Sequence, residues 1–391
     1  MMRTIPAIER ISGDARRLVA GRRVGLLAHP ASVDATRSHA LDLLIAAGAD
    51  VRVLFGPEHG FGGEAQDMEP VGGEARGPRG LPLVSLYGAT EATLAPRPEH
   101  LRDLDALVID LVDVGSRYYT FAWSAVLCVH ACHKAGVDAI VLDRPNPIGG
   151  DAVEGAPQEP GFLSFVGLLP IANRHGMTIG EIADYAARLD GTSDALTVVE
   201  AEGWRRDARA ADTGLPWVLP SPNMPTPDTA LVYPGGCLLE ATWASEGRGT
   251  TRPFELFGAP EVHAGELVRA LESMRLPGVR FRPASFRPTF QKHAGHTCYG
   301  AQLHVTDPCA FLPYRTGVAL LVALKAAARG AFEWRAAPYE FVGEIPAIDL
   351  LAGSDAVRRG VDAGASIGEI AATWADGERA FAEERRAYLR Y

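Results

Sequence analysis

One segment, Gly56-Pro57-Glu58-His59-Gly60, sets a carboxylate beside an imidazole between conformationally special residues. Proline fixes φ and glycine permits sharp turns, so Glu58 is presented from a stiff turn rather than a mobile arm. A general acid needs that fixed placement and a raised pKa, which a carboxyl in a half-closed cleft acquires. His59 is placed to assist. Asp113, in Asp113-Val114-Gly115-Ser116-Arg117-Tyr118-Tyr119, is the natural second carboxylate, because glycosidic cleavage usually employs two carboxyl groups facing across the bond. Asp143 competes for that role, although Asp143-Arg144-Pro145-Asn146-Pro147 also reads as a turn locked by an aspartate–arginine contact. Tyr118 and Tyr119 offer faces on which a sugar stacks.

These residues sit where an open parallel sheet collects ligands, outside the carboxyl ends of its strands. Val24–Ala28 reads as a buried strand running into His29, and Val51–Phe55 as one running into Glu58. Ala106–Leu111 runs towards Asp113 and Arg117, and Ala139–Leu142 into Asp143, Arg144 and Asn146. Leu83–Leu86 reads as a further strand, with helices over Thr36–Ala47 and Phe121–Ala135 between strands. Such alternation implies a mostly parallel sheet covered on both faces. From Leu215 to Gly236 six prolines exclude one long helix or a central strand, and the domain boundary is placed near residue 231. The expected fold is thus α/β, with a Rossmann-like parallel-sheet domain over residues 1–230 and a smaller α+β domain over 231–391 that completes the cleft. In the second part His263–Met274 and Arg315–Ala328 read as helices and Ala301–Val305 as β.

Later segments add candidates. Thr178 and Glu181 form a capping box opening a helix, which makes Glu181 structural, while His175 just before it faces the site. Asn223 lies in the Pro-rich stretch. In Ser245-Glu246-Gly247-Arg248-Gly249-Thr250 the glycines allow backbone to approach a ligand, and Arg248 suits bidentate pairing with a carboxylate.

Composition excludes several classes. The 391 residues carry a net charge of −10, which argues against nucleic acid or anionic membrane as partners. No run of about 18 apolar residues suggests a membrane span. The charged N-terminus lacks the apolar core of a signal peptide, so the sequence as it stands reads as cytoplasmic, with export implied if a leader has been cleaved. Five cysteines do not read as a disulfide framework. Cys128 and Cys132 with His130 and His133 interleaved lack a second ligand pair at zinc spacing, and no metal is expected. The glycines from Gly60 to Gly73 lack the dinucleotide-binding spacing, so no nucleotide cofactor is expected either.

The motifs FGPEHGF, DVGSRYYTF, LDRPNPIGG, RHGMTIGE, PSPNMP, YPGGCLLEATWASEGRGTTRPFELFGAP and PAIDLLAGS together resemble the NamZ-type exo-β-N-acetylmuramidases, long catalogued only as a domain of unknown function. The resemblance runs from about Gly21 to the C-terminus. It implies a Rossmann-like domain, a smaller C-terminal domain and a cleft between them, with exo-lytic release of terminal MurNAc from peptidoglycan fragments and no cofactor. By the same resemblance Glu58 is the catalytic glutamate and Asp113 the motif aspartate. Glu58 would protonate the leaving oxygen while Asp113 or the substrate's acetamido group supports the cationic centre. Arg117, Arg144 or, preferentially, Arg248 would meet the lactyl carboxylate. The sequence departs from the family at Trp243 and His29, which leaves a β-N-acetylhexosaminidase of altered specificity as an alternative. A non-catalytic cell-wall sugar-binding protein is another. An amidase or esterase would need Ser116 or Ser245 as nucleophile, and no Gly-x-Ser-x-Gly elbow is present.

Overall fold

The computed structural model describes residues 3–72, 74–328 and 330–391. Its largest layer is a seven-stranded sheet in the order β3-β4-β2-β1-β5-β6-β7. These strands are β1 (Arg23–Ala28), β2 (Asp50–Gly56), β3 (Glu74–Arg76), β4 (Pro82–Ser85), β5 (Ala106–Asp110), β6 (Asp138–Leu142) and β7 (Leu196–Val199). All pairings are parallel except β3 with β4. Apart from the exposed Arg23 that opens β1, the central strands β1 and β5 are buried along their length, as a sheet covered on both faces requires. Five of the seven were legible as apolar runs. β3 is a short polar edge strand and β7 lies beyond a long loop region, so neither stands out by pattern.

Helix α1 (Phe121–Ala135) and helix α2 (Ile179–Asp190) pack together over one face of this sheet. On α1, Cys128 and Cys132 are buried in the core, while His130 and His133 pair with Asp190 and Asp194 at 3.0 and 2.9 Å. The helix expected from Thr36 begins only at Ala40, because Asp34 turns the chain by accepting from the backbone of Thr36 and Ser38.

The second part holds helix α3 (Pro227–Gly236), strands β8 (Leu256–Ala259), β9 (Val279–Phe286) and β10 (Cys298–Val305), and helix α4 (Pro313–Ala327). The three strands form an antiparallel sheet in the order β8-β10-β9. The change of texture near residue 231 falls inside α3, which starts on Pro227 at a position where a missing N–H costs nothing. α3 crosses α4 through glycines: a Cβ on Gly317 would lie 2.4 Å from the Gly235 Cα, and one on Gly235 would lie 2.0 Å from the Pro313 carbonyl oxygen. The final residues return to the first sheet, where the Tyr391 hydroxyl donates to Asp143 at 2.7 Å and Arg385 donates to the carbonyls of Gly150 and Gly176. The helix crossing thus holds the second part together, and the C-terminal return ties it to the first.

Because the α3–α4 contact is backbone against backbone, Gly317→Ala has no flexible side chain to displace. It is expected to lower stability by about 2–3 kcal/mol or more, read as a lower urea midpoint; an unchanged midpoint would show that the crossing can widen freely.

Candidate active site

β2 ends in Gly56, where a Cβ would sit 2.4 Å from the Phe61 amide nitrogen, so only glycine lets the chain fold back so tightly. The turn after it puts His59 at φ 69°, a left-handed conformation unusual for a non-glycine residue. It delivers Glu58 to the N-terminal end of α1, where Thr120 donates to its Oε2 at 2.6 Å and the Met68 amide donates to Oε1 at 3.3 Å. His59 holds the same loop, its Nδ1 donating to the Ala65 carbonyl at 2.9 Å. A carbonyl only accepts, so Nδ1 carries a proton in this contact.

Glu58 and His59 line a small, recessed cavity of about 30 Å³ with Tyr118, Tyr119, Thr120 and Tyr233. Across it lie Asp67, Asn223, Glu240, Arg248, Tyr339 and Glu340. Arg248 is the pivot of the charges. It pairs with Glu240 at 2.6 Å, Asp67 at 3.2 Å and Glu246 at 3.3 Å, and lies 5.0 Å over the Phe254 ring. Burial works against its charge, but these carboxylates more than offset that and hold its pKa well above the usual arginine value. Glu246 is also held by Lys292 at 2.9 Å. Burial pushes Glu240 up, yet Arg248 outweighs it and leaves Glu240 below the ordinary glutamate value. For Asp67, burial, assisted by the negative charges of Glu240, Glu246 and Glu58, pushes the pKa up to about 6 despite Arg248. Glu340 is pushed well above its ordinary range, first by burial and then by the charge of Glu58, while the Tyr87 hydroxyl donates to it at 2.9 Å.

The loop carrying Asp67 closes the cavity. Asn223 donates to Gln66 at 2.8 Å and Gln291 donates to Asp67 at 2.6 Å, so residues from two distant segments clasp it. About 30 Å³ admits water but no sugar ring, and substrate entry requires these clasps to open.

Of the residues singled out in the sequence, Glu58, His59, Tyr118, Tyr119, Asn223 and Arg248 line the cavity, and Glu246 supports it through Arg248. The others reach the same edge of the sheet but do other work. Asp113 does not face Glu58 across the cavity: its Oδ2 accepts from the Gly115 amide at 2.8 Å and lies 3.3 Å from Nε2 of the buried His175. His29 is fully buried and accepts from the Val112 amide at 3.1 Å, pinning the loop after β5; burial, then the charge of Arg144, holds it well below the ordinary histidine pKa. Arg117, the expected anion ligand, is buried among the carbonyls of Ala156, Ile171 and Leu351, and burial pushes its guanidinium down to about 10. Asp143 caps α2, accepting from Thr178 at 2.7 Å and Gly180 at 2.8 Å, and Asn146 bonds the backbone of Met177 and Ile148. Arg144 pairs with Asp110 and lines a separate cavity of about 210 Å³ beside Trp217. These corrections share one cause: a charged group at a strand end is often needed to satisfy the loop's own backbone before any ligand arrives. Sequence reasoning missed Asp67, Glu240 and Glu340. Glu240 was inside a quoted motif, but Tyr339-Glu340 carries no spacing signal linking it to Glu58.

A cavity at the carboxyl edge of a parallel sheet, walled by tyrosines and carboxyl groups around one buried guanidinium, defines a polar small-molecule site of the hydrolase kind. Family models describe the chain over nearly its whole length: that of the N-terminal part of the exo-β-N-acetylmuramidase NamZ matches residues 24–228, and that of the C-terminal part matches 231–391. The chain belongs to the NamZ family. It is 41% identical over 386 residues to the peptidoglycan β-N-acetylmuramidase NamZ of Bacillus subtilis (strain 168), covering 98% of this chain and 90% of that one. Two crystal structures of DUF1343-family proteins from Bacteroides fragilis NCTC 9343 superpose on all of it. Their TM-scores are 0.87 and 0.78, at 30% and 26% identity, with 100% and 99% of those chains covered.

Replacing Arg248 with methionine leaves Glu240, Glu246 and Asp67 facing one another without their guanidinium. The expected loss is about 3–5 kcal/mol of unfolding free energy, read by chemical denaturation. A loss under about 1 kcal/mol would mean that the carboxyls neutralise themselves by taking up protons.

Proposed function

We propose that this protein is a glycoside hydrolase that releases terminal MurNAc from peptidoglycan fragments as an exo-acting β-N-acetylmuramidase. The observation that carries the reading is Glu58, fixed by a strained turn at the wall of a recessed, carboxyl-rich cavity. The whole-length family match supplies the substrate class. A recessed cavity suits an exo-enzyme, because only a chain end fits inside it while the rest of the saccharide stays outside. The cavity also supports a division into residues 1–230, which carry Glu58, and 231–391, which bring Glu240, Arg248 and Glu340 to complete the cleft.

MurNAc differs from GlcNAc by a lactyl ether bearing a carboxylate. Arg248 is the guanidinium among the lining residues, but it arrives already neutralised. A substrate carboxylate therefore reaches it by exchange, and Asp67 is the group to leave. It sits on the closing loop, lacks the second cation that Lys292 gives Glu246, and carries the carboxyl pushed up to about 6. Arrival of the lactyl group and opening of the loop are then one event.

Sugar release from a chromogenic β-MurNAc glycoside, run beside the GlcNAc analogue, tests the activity. MurNAc release that falls by about 10²–10⁴-fold in Glu58→Gln is expected; release from GlcNAc alone would reassign the specificity, and an unaffected variant would remove Glu58 from the reaction. Asp67 gives a second expectation. Below about pH 6 it takes up a proton and stops competing for Arg248, whereas a lactyl carboxylate stays ionised. Inhibition by free MurNAc should tighten relative to GlcNAc between pH 7 and 5, and Asp67→Asn should abolish that pH dependence; a wild-type ratio flat with pH would refute the exchange.

A further inference from the structure

Glu340 lies far from Glu58 in sequence, yet the two share the wall of one cavity. The turn that presents it is tight: Tyr339 and Val342 exchange two backbone hydrogen bonds of 2.9 Å, and Glu340 and Phe341 take φ of 43° and 68°. Consecutive left-handed non-glycine residues persist only where their surroundings impose them, and such sites concentrate at functional positions. The two carboxyl groups are dressed differently. Both oxygens of Glu58 accept hydrogen bonds, from Thr120 and from the Met68 amide. Glu340 accepts only from Tyr87 at Oε2, and among the described residues nothing bonds its Oε1.

We infer that Glu340 is the proton donor of the cleavage and Glu58 the group that takes the proton from water, a division of labour that rests on the glycosidase reading. Two carboxyls on the wall of one small cavity favour sharing a single proton, because both charges together are costly. The groups facing Glu340 favour its holding that proton. Glu58 and Asp67 face it from the loop after β2 and Glu240 from the segment after α3; against them stand the Tyr87 hydroxyl, Arg248, already ringed by carboxylates, His59 on the same wall, and Arg335, which lies 5.5 Å over the Tyr339 ring. In the reaction the Glu340 proton passes to the glycosidic oxygen. The bond from that oxygen to the anomeric carbon breaks, and its electron pair stays with the oxygen, which leaves as an alcohol. Water then supplies the new bond to the anomeric carbon, directly or after an intermediate, and its released proton goes to Glu58. One proton lost by Glu340 and one gained by Glu58 balance the hydrolysis, and transfer back across the cavity restores the resting pair.

The test compares two substrates in wild type, Glu340→Gln and Glu58→Gln. One is a MurNAc–GlcNAc disaccharide, whose sugar alcohol needs a proton to leave; the other is the 4-nitrophenyl β-MurNAc glycoside, whose phenolate does not. Glu340→Gln should lose about 10²–10⁴-fold in kcat/KM on the disaccharide, far less on the aryl glycoside, and lack the alkaline limb of the pH profile. Glu58→Gln should be slow on both. Equal losses on both substrates in Glu340→Gln, with the wild-type profile shape kept, would overturn the assignment. If that variant does not fold, Tyr87→Phe carries the test. Removing a hydrogen bond that lowers the Glu340 pKa should move the alkaline limb to higher pH, and an unmoved limb would overturn the assignment. A wild-type enzyme that cleaves neither substrate would instead sink the glycosidase reading itself.

Discussion

Charge balance around Arg248 is the constraint on which the site depends. Glu240, Glu246 and Asp67 close around one guanidinium, Lys292 reinforces Glu246, and Glu58 and Glu340 stand just beyond. Away from water, this many carboxyl groups can coexist only if some are paired and others carry protons. That requirement sorts them by role. The tightly paired Glu240 and Glu246 are anchors; Asp67 and Glu340, pushed upward, are the groups whose protonation changes during binding or turnover.

The scaffold supplies this balance from distant parts of the chain. Parallel strands covered on both faces fix the turn that holds Glu58, and α1 places Thr120 against it. The glycine crossing packs α3 closely on α4 just before the segment that carries Glu240 and Arg248, and the turn at Tyr339 brings Glu340. The return of the C-terminus to Asp143 ties the assembly back to the first sheet, so Asp143 serves the joint between the parts rather than the chemistry.

Much of the fold was readable as pattern. The buried parallel strands announce themselves as continuous apolar runs, and the span of α1 follows from its composition. The capping box of Thr178 and Glu181 is present with both reciprocal bonds. The short edge strand β3 carries no such run, and the start of the helix at Ala40 depends on how Asp34 folds its own backbone. At the site, Glu58 was conspicuous because a Gly-Pro frame is a local signal. Arg117, Asp143 and Arg144 were equally conspicuous, yet each is spent on carbonyls, helix ends or a neighbouring carboxylate.

The sequence by itself determined the sheet, the family and the stiff turn that presents Glu58, because each is written in residues close together along the chain. Only the tertiary structure decided which polar groups share the cavity. It moved Asp113 out of line, surrounded Arg248 with three carboxylates, and set Glu340 beside Glu58. The physical reason is that proton affinity and pairing are set by burial and by charges within a few ångströms, and those neighbours come from segments hundreds of residues apart.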